Sequence, residues 1–169
     1  MEAILEEVKE LTLAWVVSFV VHHNLCPFAK RVIKQGGLKL EVDITQNTPP
    51  TVESLQAAFK SMDETPSIET LLLIYPFVLH DFFDYLDFID EAEAWLMKAG
   101  YEGTYQLASF HPHYCFEGEP FDAPSNKTNQ SPYPMIHILR ETSLDQAIDA
   151  YGDTSDIPIR NKLLMDKLG

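Results

Sequence analysis

His111-Pro112-His113-Tyr114-Cys115 sets two imidazoles and a thiol at alternate positions. In an extended chain such positions share one face, so together with His137 they offer the donor types of a zinc site. Pro112 perturbs that face and the spacing matches no well-attested zinc pattern, so no metal site is assigned. A second thiol stands in Asn24-Leu25-Cys26-Pro27-Phe28-Ala29-Lys30-Arg31. A cysteine near a helix start, with two cations one turn on, is a setting that lowers a thiol pKa and makes a nucleophile. The bland counterpart is a buried cysteine that behaves as a small hydrophobe.

A third stretch, NKTNQSPYPMIH at 126–137, packs amides, hydroxyls and prolines against an apolar tail. It belongs to an irregular segment, 111–133, that is longer than compact domains ordinarily tolerate without a functional reason. The aromatics at 114, 116, 121 and 133 argue that the segment is folded. Asn and Ser side chains there readily satisfy the loop's own backbone, which is the structural reading of each. The functional reading makes Asn24, Asn126, Asn129, Ser131, Tyr133 and Arg140 ligand-binding residues around a polar pocket. His111 and His137 would supply acid–base chemistry there and Cys26 a nucleophile. Arg140 in the same crevice would favour a small polar or anionic ligand, although strand alternation turns His137 and Arg140 to opposite faces.

The elements that position these residues follow from periodicity. Ile4, Val8, Leu11, Trp15 and Phe19 step along one helical face over 2–21. LKLEVDI at 38–44 alternates like a half-solvated strand, and ETLLLIY at 69–75 reads as a central strand buried on both faces. Further strands are expected over 104–110 and 135–140. Helices are expected from Thr51 to about Met62, over 81–99, from a Ser143–Gln146 capping box to Tyr151, and over 156–167. The expectation is therefore an α/β chain, with α+β as the variant. A single globular domain over 1–169 would hold a mixed sheet of about four strands packed with about five helices.

Composition bounds the partners. A formal net charge of −14 sets the chain against phosphate backbones and anionic bilayers, so neither nucleic acid nor membrane is expected. The longest apolar run, Leu13–Val21, is far shorter than the roughly 20 residues of a transmembrane span. Two cysteines and no secretory signal point to a reduced, cytoplasmic setting.

CPFAKR at 26–31 resembles the thiol motif of omega-class glutathione transferases and the related chloride-channel-like proteins. In those families the motif follows a strand, whereas a helix precedes it here. A broader resemblance covers nearly the whole chain. NLCPFAK at 24–30, TLLLIYPFVL at 70–79, SFHPHYCF at 109–116, TNQSPYPMIHILRE at 128–141 and IPIRN at 157–161 occur in order. Together they resemble the bacterial family catalogued as domain of unknown function 1415. That resemblance implies a bacterial protein of about one domain and implies neither activity nor cofactor. The family pattern has small or apolar residues at the positions of His22 and His23, and it lacks His113 and Cys115. The residues that do match are Asn24, Cys26, Pro27, His111, Asn129, Ser131, Tyr133, His137 and Arg140. Three readings then stand together: a small-molecule enzyme, a non-catalytic metabolite- or partner-binding domain, and a purely structural loop. A thiol-transferase-like protein acting through Cys26 is a further alternative.

Overall fold

In the computed structural model, which describes all 169 residues, the four apolar runs form one sheet. Its strands are β1 (Leu38–Val42), β2 (Thr70–Ile74), β3 (Tyr105–Phe110) and β4 (Met135–Arg140), in the order β1-β2-β4-β3. β1 and β2 are parallel, and β4 lies antiparallel between β2 and β3. β2 is central, which is why its sequence is apolar on both faces while edge strand β1 alternates.

The helices are α1 (Glu2–Trp15), α2 (Ala29–Lys34), α3 (Glu53–Glu64), α4 (Phe82–Lys98), α5 (Glu141–Tyr151) and α6 (Asp156–Leu168). α3 connects β1 to β2 and α4 connects β2 to β3, both stepping the same way across the sheet. A single crossover handedness then lays both helices on one face. Leu55, Phe59 and Met62 of α3 and Phe88 and Leu96 of α4 pack there on Leu71, Leu73, Ile136 and Ile138. Asp81 opens α4 by accepting from the amides of Phe83 and Asp84 at 2.9 and 3.0 Å, the N-cap that an aspartate supplies.

Alternation sends Leu72, Ile74 and Met135 to the other face, where Val8 and Val16 cover them. Three details differ from the sequence-based expectation. The first helix does not stay α-helical to its end: Val16–Val21 is a π-helical stretch. α5 begins at Glu141, two residues before the capping box, with the Glu141 amide still extending the β3–β4 ladder by donating to the Thr104 carbonyl at 2.9 Å. The short α2 was not among the expected elements. Six residues following a turn are too few to show a helical period.

Candidate functional site

On the sheet face away from α3 and α4 lies a cavity of about 350 Å³. Its floor is set by strand register. Leu72, His137 and Ala108 are cross-strand partners in one row, and Thr70, Leu139 and Gln106 form the next. All six line the cavity. A methyl at 108 beside the His137 ring leaves volume that a larger side chain would fill. The walls come from Trp15, Val16 and Val20 around the π-helical stretch, from Cys26 to Ile33 at α2, and from Ser143, Leu144 and Ala147 of α5. π-helical insertions recur at functional sites, where they re-aim side chains.

His137 is the central polar group. Its Nε2 meets the Thr70 hydroxyl, which also donates to the Ile138 carbonyl at 3.0 Å. The hydroxyl has a single proton and it is committed to that carbonyl, so Nε2 carries the imidazole hydrogen and donates to Thr70 Oγ1. Nδ1 is then a lone-pair acceptor with no partner in the chain. Enclosure of the ring on the sheet floor pushes its pKa down to about 4, so it is neutral at pH 7. Trp15, packed edge-on against Phe110 at 5.5 Å, has a buried indole N–H without an acceptor.

Cys26 lines the same cavity, half-buried. The chain before it turns through Asn24, which has φ of 52°. The turn is held from α6: Arg160 donates to the Asn24 carbonyl at 2.7 Å and Asn161 to the Leu25 carbonyl at 2.8 Å. Burial raises the Cys26 pKa, with the amides of Phe28 and Ala29 pulling the other way. Lys30 is exposed, and Arg31 is engaged with Gln35 at 2.8 Å and with Glu69 at 3.4 Å. The result is a neutral thiol rather than a thiolate at neutral pH.

The structure brings Cys26 and His137 to one cavity with Arg140 at its border, and leaves the other expected site residues elsewhere. His111 is fully buried on the opposite side of the sheet, against Phe82 and Tyr85. Both its nitrogens are bonded within the chain: Nε2 donates to the Leu79 carbonyl at 2.8 Å and Nδ1 accepts from the His113 amide at 3.0 Å. Burial lowers its pKa as well. Asn126, also fully buried, accepts from the Phe116 amide at 3.0 Å and donates to the Pro120 and Phe121 carbonyls at 2.9 and 3.3 Å. Asn129 donates to the Ser109 carbonyl at 3.0 Å and Ser131 to the Tyr133 carbonyl at 2.6 Å. Tyr133 packs beside Met135 and the α1 core residues. These side chains fasten the 111–133 loop to itself and to the end of β3. Arg140 borders the cavity, but its guanidinium is bonded to carbonyls on the α3 side.

Thr70, Ala108 and Trp15 line this cavity although the sequence reading did not select them. Each sits in an apolar run, and only the strand register reveals that they share a floor or a wall. No group of three or more His, Cys, Asp or Glu side chains is placed to hold a metal ion. No helix is long and apolar enough to cross a membrane.

The fold is that of an α/β protein with a half-open, mainly apolar cavity on one sheet face. A family model described as "Protein of unknown function (DUF1415)" matches residues 7–169, so the chain belongs to that family. No curated protein and no solved structure matches the chain.

Proposed function

We propose that the protein binds a small molecule with an apolar body and one hydrogen-bond donor, held over the sheet with the donor on His137 Nδ1. The observation that carries this reading is the cavity's make-up: 15 of its 22 lining residues are hydrophobic, around one neutral imidazole with a free acceptor. Ligand sites are commonly concave and apolar with a few placed polar groups, in volumes of roughly 300–1,000 Å³. An anionic ligand has less support, because the Arg140 donors are taken and Arg31 is paired with Glu69.

Indole and 4-ethylphenol serve as probes, each a ring with a single donor. At about 100 times Kd a bound probe adds about 2.7 kcal/mol of stability, which raises Tm by about 5 °C or more in a chain of this size. Ala108→Phe, which fills the floor beside His137, should keep or raise the unliganded Tm and abolish the probe-induced rise. If Ala108→Phe binds both probes as well as wild type does, the cavity is not their site and the reading fails.

A catalytic use of the same cavity is the second reading, favoured by the joint presence of Cys26 and His137 on its lining. Its electrostatics make a test direct. With its pKa raised by burial, Cys26 in the native protein should react with iodoacetamide at pH 7.5 more slowly than in the urea-unfolded chain. Peptide mass spectrometry separates it from Cys115. Fast alkylation at neutral pH, lost in His137→Ala, would establish an activated pair and put the enzyme reading first.

A further inference from the structure

We propose that a second concavity, between α4 and residues 114–121, docks a basic segment of another protein that carries one or two large apolar anchor side chains. The groove, about 470 Å³, is lined by Phe82, Phe83 and Leu86 of α4 and by Tyr114, Phe116 and Phe121 of the loop. Phe83 and Phe121 are 62% and 66% exposed, the two most exposed phenylalanines of the chain, and they stand at one groove. Contiguous exposed aromatics mark an interaction site, and aromatic pockets are where binding energy concentrates.

The wall is built rather than loose. Asn126 bonds to Phe116, Pro120 and Phe121 from beneath, and the Cys115 thiol donates to the Glu119 carbonyl at 3.3 Å. The buried amide of the loop thus has a use: it holds the aromatic wall in place before any partner arrives, which lowers the ordering cost of binding.

Charge selects the occupant. Residues 81–122 contain ten Asp or Glu and a single Lys, with no Arg. Glu117 and Glu119 line the groove, and Asp87 and Asp90 continue the α4 face that presents Phe83 and Leu86. Only Glu119 among these is neutralised within the chain, by Lys162 at 2.8 Å. Glu93 has its pKa raised by partial burial and by the charge of Asp90, as an unrelieved acidic field requires. A second copy of the chain would bring the same acids face to face, and an anionic membrane would be repelled. A Lys/Arg-rich segment with Leu or Trp anchors satisfies both the aromatics and the carboxylates.

The test uses the full chain and two labelled synthetic peptides, each of 14 residues. One is an amphipathic sequence of Leu, Trp and Lys, and the other has Glu in place of every Lys. Fluorescence anisotropy should show binding of the basic peptide alone, weakened several-fold between 50 and 300 mM salt, as screened charge contacts are. Phe83→Ser with Phe121→Ser, both at exposed positions, should weaken it roughly tenfold or more, the scale set by losing aromatic anchors. Glu117→Lys should weaken it too, with unchanged thermal stability. Equal binding by both peptides would overturn the proposal, as would basic-peptide binding that survives the double Phe replacement. Self-association of the free chain that the double replacement abolishes would assign the groove to a second copy instead.

Discussion

Arg140→Met is expected to lower the unfolding free energy by about 3 kcal/mol, a loss at the large end for a residue with some solvent exposure. The guanidinium works as a clamp. Its Nη2 donates to the Met62 carbonyl at 2.8 Å and to the Ile68 carbonyl at 2.9 Å, and Nε reaches the same Ile68 oxygen at 3.1 Å. Its carbon lies 5.5 Å from the centre of the Tyr105 ring, adding a cation–π contact. Met62 belongs to the last turn of α3, whose terminal carbonyls have no partners in the helix and carry the negative end of its dipole. Ile68 opens the approach to β2 and is itself buried. Removing the fork strips the Ile68 carbonyl of its donors and leaves the Met62 carbonyl only the long bond from the Thr65 amide at 3.3 Å, while methionine retains the aliphatic stem. Arg140→Lys should recover about half, because one ammonium cannot reproduce a planar fork spanning two carbonyls. Urea unfolding with a common m-value measures both. A loss under about 1 kcal/mol for Arg140→Met would refute the clamp and return Arg140 to the pool of ligand-binding candidates.

That role was legible in the sequence only in part. Period-two alternation places residues 137 and 140 on opposite faces of any strand, so the separation of His137 from Arg140 needed no structure. What each face meets depends on α3, which lies more than 70 residues from Arg140 in sequence. The strands themselves were plain, since LKLEV, TLLLI and MIHILR carry strong apolar patterns bounded by Gly or Pro. Their order was not, because insertion of β4 between β2 and β3 is a tertiary pairing with no local signature. The same gap hid which face of the sheet His111 takes. It follows β3 directly and β3 neighbours β4, yet parity carries His111 toward α4 while Phe110 and His137 face the cavity. The amide-rich loop drew notice through its residue types, and those types proved to serve local backbone bonds, the common use of Asn and Ser in turns. The cavity floor escaped for the opposite reason. Thr70, Ala108 and Leu139 look like ordinary strand residues until register aligns them.

The second large effect concerns acid. Stability should fall by about 2 kcal/mol between pH 7 and pH 5 through His137 alone, and His137→Gln should remove that component. The folded-state pKa is lowered to about 4 from an ordinary 6.5. Between those values the unfolded chain binds a proton that the folded chain does not. Stability therefore rises with pH across this window and falls on acidification, levelling off about one pH unit below the folded-state value. Glutamine keeps a donor for Thr70 and does not titrate, so the difference between the two proteins' pH profiles isolates the imidazole. His111, whose pKa is also lowered by burial, is present in both proteins and cancels in that difference. Parallel profiles from pH 7 to 5 would show that solvent reaches the ring freely and would remove the basis for a neutral acceptor at Nδ1. The same titration bears on the ligand. A donor seated on Nδ1 stabilises the neutral ring, so its affinity should stay flat from pH 8 to 5 and fail as the pH approaches 4. An anion would instead favour the imidazolium and bind more tightly on acidification, with proton uptake. The sign of that pH dependence therefore separates the two ligand classes before either is identified.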